Sequence, residues 1–246
     1  MKYCFLVNKR ISTTISQDYK ANYKYFPMHK SDLMDIMRNL ISNKIYDLNC
    51  IDTSMISDMS NLFGTIPNLS KIDQESIDIS NWNVSNVRNM SYMFNCLKFF
   101  NGDLSNWDVS RVIWMDNMFH NCRAFNQPLG SWNVENVKSM EYMFSGCTMF
   151  NQNLNDWNVS NVENMSRMFY MCEFFNSPLD KWNMKNVKYV AYMFSNCHRF
   201  NQSLNSWDLT NVRSILNMFS NCHKLDRDNV RFNINSSFSN LDMFST

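Results

Sequence analysis

A single tryptophan recurs every 25 residues: Trp82, Trp107, Trp132, Trp157, Trp182 and Trp207 hold one register without an insertion or deletion. Other columns keep the same step. Met93, Met118, Met143, Met168, Met193, Met218 and Met243 form one, and the phenylalanine after each forms the next, from Phe94 to Phe244. Cys122, Cys147, Cys172, Cys197 and Cys222 form a third. Asn101, Asn126, Asn151, Asn176 and Asn201 form a fourth. The unit reads F-N-x-x-L-x-x-W-[ND]-V-x-x-V-x-x-M-x-x-M-F-x-x-C. One unit of this size cannot bury its own apolar face, so copies must stack and bury it between them.

The two halves of the unit differ in period. Around Trp107 and Val109 the apolar residues alternate, which predicts a short strand. Val112, Met115, Met118 and Phe119 follow at steps of three, three and one, which predicts one face of a short helix or 3₁₀ stretch. Ser110 is expected to N-cap that helix, as are Ser85, Ser160 and Thr210 in their repeats. The expected fold class is therefore an α/β repeat solenoid, with one short parallel strand and one short helix per unit. Trp, Val, Met and Phe supply the core layers. Met suits such a core because its flexible thioether fills gaps and contacts rings. The Asn101 column is expected to form a ladder of buried amides that satisfies backbone groups of neighbouring units.

The ends depart from the pattern, as capping units do. Residues 1–47 read as an N-terminal segment and capping helix, and residues 48–246 as the repeat solenoid of the same structural domain. Within the latter, 48–75 is a degenerate first unit, 76–224 holds the full repeats and 225–246 is a partial terminal unit. Phe63 precedes Phe94 by 31 residues, so about six residues are inserted, between Gly64 and Asp73. Ser31 followed by Leu33, Met34, Ile36, Met37, Leu40 and Ile41 predicts an N-capped amphipathic helix over the open end. Tyr3 to Val7 reads as a short strand.

Composition narrows the function. Lys+Arg is 23 against 22 Asp+Glu, a net charge of +1, which gives no global attraction to nucleic acid or an anionic membrane. The four glycines, Gly64, Gly102, Gly130 and Gly146, are too far apart for either glycine-rich phosphate cradle. With so few glycines, Asn and Asp are expected to shape most turns. No apolar run approaches the roughly 18 residues of a membrane span. The Tyr3–Val7 run is too short for a signal peptide, so an intracellular location is expected, with a virion component as the alternative.

Units such as Phe125-Asn126, Trp132-Asn133-Val134, Val137, Met140, Met143-Phe144 and Cys147 closely resemble the BspA-like leucine-rich repeat proteins. The likeness is to the branch described as a mycoplasma lipoprotein repeat of unknown function. Asp47-Leu48-Asn49-Cys50-Ile51-Asp52-Thr53-Ser54 resembles the start of that family's repeat region. The resemblance spans roughly residues 31–246. It implies a right-handed leucine-rich-repeat-like solenoid and carries over no catalytic residues. Many members are surface adhesins or lipoproteins, and similar repeats occur in large DNA viruses of protists.

No catalytic residue, cofactor or metal is assigned from the sequence. The cysteine column reads as reduced core thiols, since free Cys behaves as a small buried hydrophobe. Cys197-His198 and Cys222-His223 would meet on neighbouring units as a zinc set, but their cysteines belong to the core column. His29, His120, His198 and His223 sit in no nucleophile motif. A protein-binding surface is the remaining expectation. Its candidates are Asn83, Asp108, Asn133, Asn158, Asn183 and Asp208, outward beside each Trp, with Trp114, Tyr142 and Tyr192 on the helical side. The same Asn/Asp column also fits a solvated edge that merely ends the strand. The partner is expected to be a protein, with self-association through the solenoid ends as a second route. Neither nucleic acid nor a small-molecule substrate is expected. The alternative to a binding scaffold is a structural or cement component of a virus particle or cell-surface coat.

Overall fold

The computed structural model describes residues 23–66, 68–234 and 237–244; the strand expected at Tyr3–Val7 lies outside them. Helix α1, Lys30–Ser42, buries Leu33, Met37, Leu40 and Ile41 on one face. It starts just before the expected cap. The Asp32 carboxylate accepts from the backbone N–H of Met28 (3.2 Å) and His29 (3.1 Å), leaving Ser31 inside the first turn. Its other end closes in a Schellman arrangement: Ile45 N–H donates to Leu40 C=O and Lys44 N–H to Ile41 C=O. Lys44 takes the left-handed conformation usually given to glycine (φ 60°). The inserted segment forms helix α2, Lys71–Ser76. Ser70 and Asp73 cap it reciprocally, Asp73 N–H to Ser70 Oγ at 3.2 Å and Ser70 N–H to the Asp73 carboxylate at 2.8 Å.

The expected helix in each repeat is absent: among the described residues from Ile77 to Asp226 the chain forms no α-helix. The reason lies in the step of three. Three residues advance an α-helix by about 300°, so a run of strict threes drifts about 60° per step off any one face. Val109, Val112, Met115 and Met118 would sweep about half the circumference. Successive three-residue turns keep them all inward instead. Trp107 N–H donates to Leu104 C=O (3.1 Å), Val112 to Val109 (2.9 Å), Met118 to Met115 (3.3 Å), Cys122 to Phe119 (2.9 Å) and Phe125 to Cys122 (3.1 Å). With no helix to cap, Ser85, Ser160 and Thr210 donate their hydroxyls to the Asn or Asp two residues back.

Alternate N–H groups bind the next unit. Met115 donates to Ser139 C=O, Asn117 to Glu141, Phe119 to Met143 and Asn121 to Ser145, at 2.7–3.1 Å. Parallel bridges join Asp58, Asn89, Trp114, Ser139, Asn164, Tyr189 and Ser214 in one column. Parallel pairing thus falls on the half expected to be helical. On the Trp–Val half, among the described residues, parallel pairing is confined to the two ends: isolated bridges join Tyr25 to Ile51 and Asp47 to Asp78, and β1 (Asp208–Leu209) pairs in parallel with β2 (Asn233–Ile234).

The core is a set of columns running through the units. Phe94, Phe119, Phe144, Phe169, Phe194 and Phe219 stack ring on ring, with centroids 5.2–5.8 Å apart. Phe125 packs on Phe119 at 4.1 Å, and the same pairing recurs in later units. Such aromatic pairs each add about 0.5–1.5 kcal/mol beyond burial. Two polar ladders run outside this core. In the expected one, the N–H groups of Asn126, Asn151, Asn176, Asn201 and Asp226 donate to the side-chain oxygen of the Asn 25 residues earlier, at 2.8–2.9 Å. These amides are exposed or half-buried, since their partners lie at the turn edge and not in the core. In the second, Asn86, Asn136, Asn161 and Asn186 each donate Nδ2 to a carbonyl of the preceding unit at 2.7 Å, and Asn211 does so at 3.1 Å.

Candidate interaction surface

The Asn/Asp column beside the tryptophans shapes turns. The side-chain oxygens of Asn83, Asp108, Asn133, Asn158, Asn183 and Asp208 each accept the backbone N–H two residues on, at 3.0–3.2 Å. This is an Asx turn, repeated in every unit. Hydrogen bonds from Ser110 and from Thr210 hold the Asp108 and Asp208 carboxyls below their ordinary range. Asn83 is half-buried and the others are exposed, yet one oxygen of each is already committed.

The aromatic candidates sit elsewhere, on or beside the parallel bridge column. Trp114 occupies that column and is 45% exposed; Tyr189, three units along it, is 38% exposed. Tyr142 and Tyr192 lie three residues past the bridge, in a column with Tyr92, Asn117, Arg167 and Asn217. Every member of this column is left-handed, with φ between 52° and 61°. That conformation costs an ordinary L-residue about 1–2 kcal/mol, and Asn less. The turns and the bonds between units hold Tyr and Arg there nonetheless. The Arg167 guanidinium is centred 5.2 Å from the Tyr142 ring and 4.4 Å from the Tyr192 ring, so the three side chains form one cation–π stack across three units.

Ion pairs between units support the same side. Lys188 Nζ meets the Glu163 carboxylate at 2.5 Å and holds it below its ordinary range. His120 packs edge-on against Tyr142 at 5.7 Å, and burial lowers its pKa. Trp114, Tyr142, Tyr189, Tyr192 and Arg167 thus gather on one side, whereas the Asn/Asp column belongs to the turns. The sequence signal for this side was variability: the bridge column holds Asn, Trp, Ser, Asn, Tyr and Ser from Asn89 to Ser214, while the core columns hardly change. Tyr189 is one of the repeat-variable aromatics of the half expected to be helical; Arg167 is absent from the sequence candidates because a helical reading hides which variable positions align.

The cysteine–histidine set is not brought together. Cys197 and Cys222 point their sulfurs at the carbonyls of Phe169 and Phe194, each at 2.9 Å, while His198 and His223 stack outside at 5.2 Å. Among the described residues no three or more His, Cys, Asp and Glu side chains cluster as a metal site would need, and no helix is long and apolar enough to cross a membrane.

A sequence model of a family described as "Mycoplasma protein of unknown function, DUF285" matches residues 31–157 and again residues 146–246. No curated protein and no solved structure matches the chain.

Proposed function

The chain belongs to this mycoplasma-type family of unknown function, whose matches span residues 31–246, and from that premise we propose that it is a non-enzymatic protein-binding scaffold. In this reading the 25-residue units stack into one leucine-rich-repeat-like solenoid of the BspA-like kind. The parallel bridge column runs along its recognition face. The observation that carries the reading is the gathering of variable, partly exposed aromatics on that one face, with Trp114 and Tyr189 in the column and the Tyr142–Arg167–Tyr192 stack beside it. Trp, Tyr and Arg are the residues most enriched at interface hot spots. A stacked solenoid presents them at fixed spacing with little ordering cost on binding.

The test is affinity capture from host-cell extract, run in parallel with the wild-type chain and a Trp114→Ala/Tyr189→Ala variant. One stoichiometric partner, retained by the first and lost by the second at unchanged thermal stability, supports the reading. A partner held equally by both would move recognition off this face. Recovery only within intact particles would favour a structural component of an assembly.

A further inference from the structure

A shallow groove of about 570 Å³ crosses three units and is lined by Arg88, Arg111, Ile113, Asn136 and Lys138. No acidic residue lines it, although the chain as a whole is nearly neutral. Arg88, Arg111 and Lys138 are exposed, and none of them forms an ion pair among the described residues. The nearby acids make their closest contacts elsewhere: Glu163 pairs with Lys188 and feels Lys138 only at longer range, and Asp108 closes its Asx turn and feels Arg111 only at longer range.

One of these cations breaks the repeat's own rule. Position 111 belongs to the second Asn ladder, where Asn86, Asn136, Asn161, Asn186 and Asn211 each tie back to the preceding unit. Arg111 also ties back to the preceding unit, but to a side-chain oxygen and not to a main-chain carbonyl. Its guanidinium donates to Asn86 Oδ1 at 2.8 Å, which fixes it at the groove between Arg88 and Lys138. A unit that keeps the tie but exchanges the ladder amide for a long cation is where a local rule has yielded to another demand.

We propose that this groove is a binding site for a compact multivalent oxyanion of the phosphate and polyphosphate class. Two guanidinium forks suit bidentate contact with phosphate oxygens, and an ammonium adds a point charge. Ile113 gives the site an apolar contact for the ligand's body. Exposed Glu135 and half-buried Glu163 belong to the adjoining unit boundaries, so positive charge does not continue into a track for a long polyanion. The site stands whether or not the bridge face captures a protein.

Isothermal titration calorimetry with inorganic triphosphate at low salt tests this. The wild-type chain should bind it saturably at one site. Arg111→Asn restores the ladder residue of the neighbouring units, so it should fold with an equal or higher thermal midpoint and bind at least about tenfold more weakly. Lys224→Gln, at an exposed lysine outside the groove, should bind as the wild type does. Absence of saturable heat, or equal affinity in Arg111→Asn, overturns the proposal. So does tighter binding of a single-stranded oligonucleotide than of triphosphate, which would make the groove part of a nucleic-acid track.

Discussion

The Trp157 indole Nε1 donates to the Leu129 carbonyl of the preceding unit at 2.9 Å, with both groups buried. The same bond joins Trp82 to Leu48, Trp107 to Ile79, Trp132 to Leu104, Trp182 to Leu154 and Trp207 to Leu179. Each tryptophan therefore fills the core and adds a second donor, from the next unit, to a buried carbonyl that already accepts the N–H three residues on in its own turn. Phenylalanine would keep most of the apolar volume and lose the donor. Trp157→Phe should cost about 1–2 kcal/mol, from the smaller ring and from the lost second bond to a carbonyl that the Trp132 N–H still partners. Urea titration followed by circular dichroism measures it, and a loss below about 0.5 kcal/mol would mean that the bond contributes little.

The cysteine column works in a similar way. Cys122, Cys147, Cys172, Cys197 and Cys222 aim their sulfurs at the Phe carbonyl of the preceding unit, at 2.9–3.0 Å. Burial pushes these thiols up, Cys222 to about 12. The thiolate is the reactive form, so at neutral pH they should resist alkylation in the folded protein. Among the described cysteines, exposed Cys96 should label first. Iodoacetamide labelling with peptide mapping reads this directly. Labelling of Cys147 as fast as Cys96 in native buffer would contradict the buried ladder.

His120 gives the fold a dependence on pH. Burial lowers its pKa below the ordinary value near 6.5, so the unfolded chain takes up a proton that the folded chain resists. Asn121 and the edge of Tyr142 face the ring, and neither is an acid that would favour its charged form. The His120 contribution is therefore level above its unfolded pKa and falls as pH drops through 6.5 toward the lower folded value. His120→Gln should flatten that decline between about pH 7 and 5. Thermal melts across this range decide it: a variant that loses stability as steeply as the wild type would place the effect elsewhere.

The repeat, its register and the core columns were legible in the sequence because identical columns touch between units. The Asn101 ladder was legible for the same reason, although it lies at the turn edge and not in the core. The backbone path was not legible. A run of threes fits both a short helical segment and a chain of turns, and only bonds to the next unit decide between them. Once Met115, Asn117, Phe119 and Asn121 donate across units, the helical ladder has lost its donors. That single misreading also displaced the candidate surface: it put a strand beside Asp108, where there is a turn, and a helix at Trp114, where there is a parallel bridge.

The left-handed columns yield a prediction that separates structural from functional choice. Four residues beyond the Tyr142 column lies a second column, with Cys96, Asn121, Gly146, Met171, Asn196 and Asn221 all at positive φ. Gly146 fits because a Cβ there would lie 2.3 Å from Asn121 Oδ1, and Asn suits the conformation by its short polar side chain. Met171 is 44% exposed and carries the strain with little packing in return. Met171→Asn should therefore stabilise the protein by about 0.5–1 kcal/mol, raising the melting temperature by roughly 1–4 °C. Tyr142→Asn relieves the same strain but breaks the stack with Arg167, a loss of about 0.5–1 kcal/mol, so the two effects should nearly cancel. Differential scanning calorimetry of the two variants compares them. If Tyr142→Asn stabilises as much as Met171→Asn, the stack contributes nothing to folding. The tyrosine's presence at a strained position would then be explained only by what that face recognises.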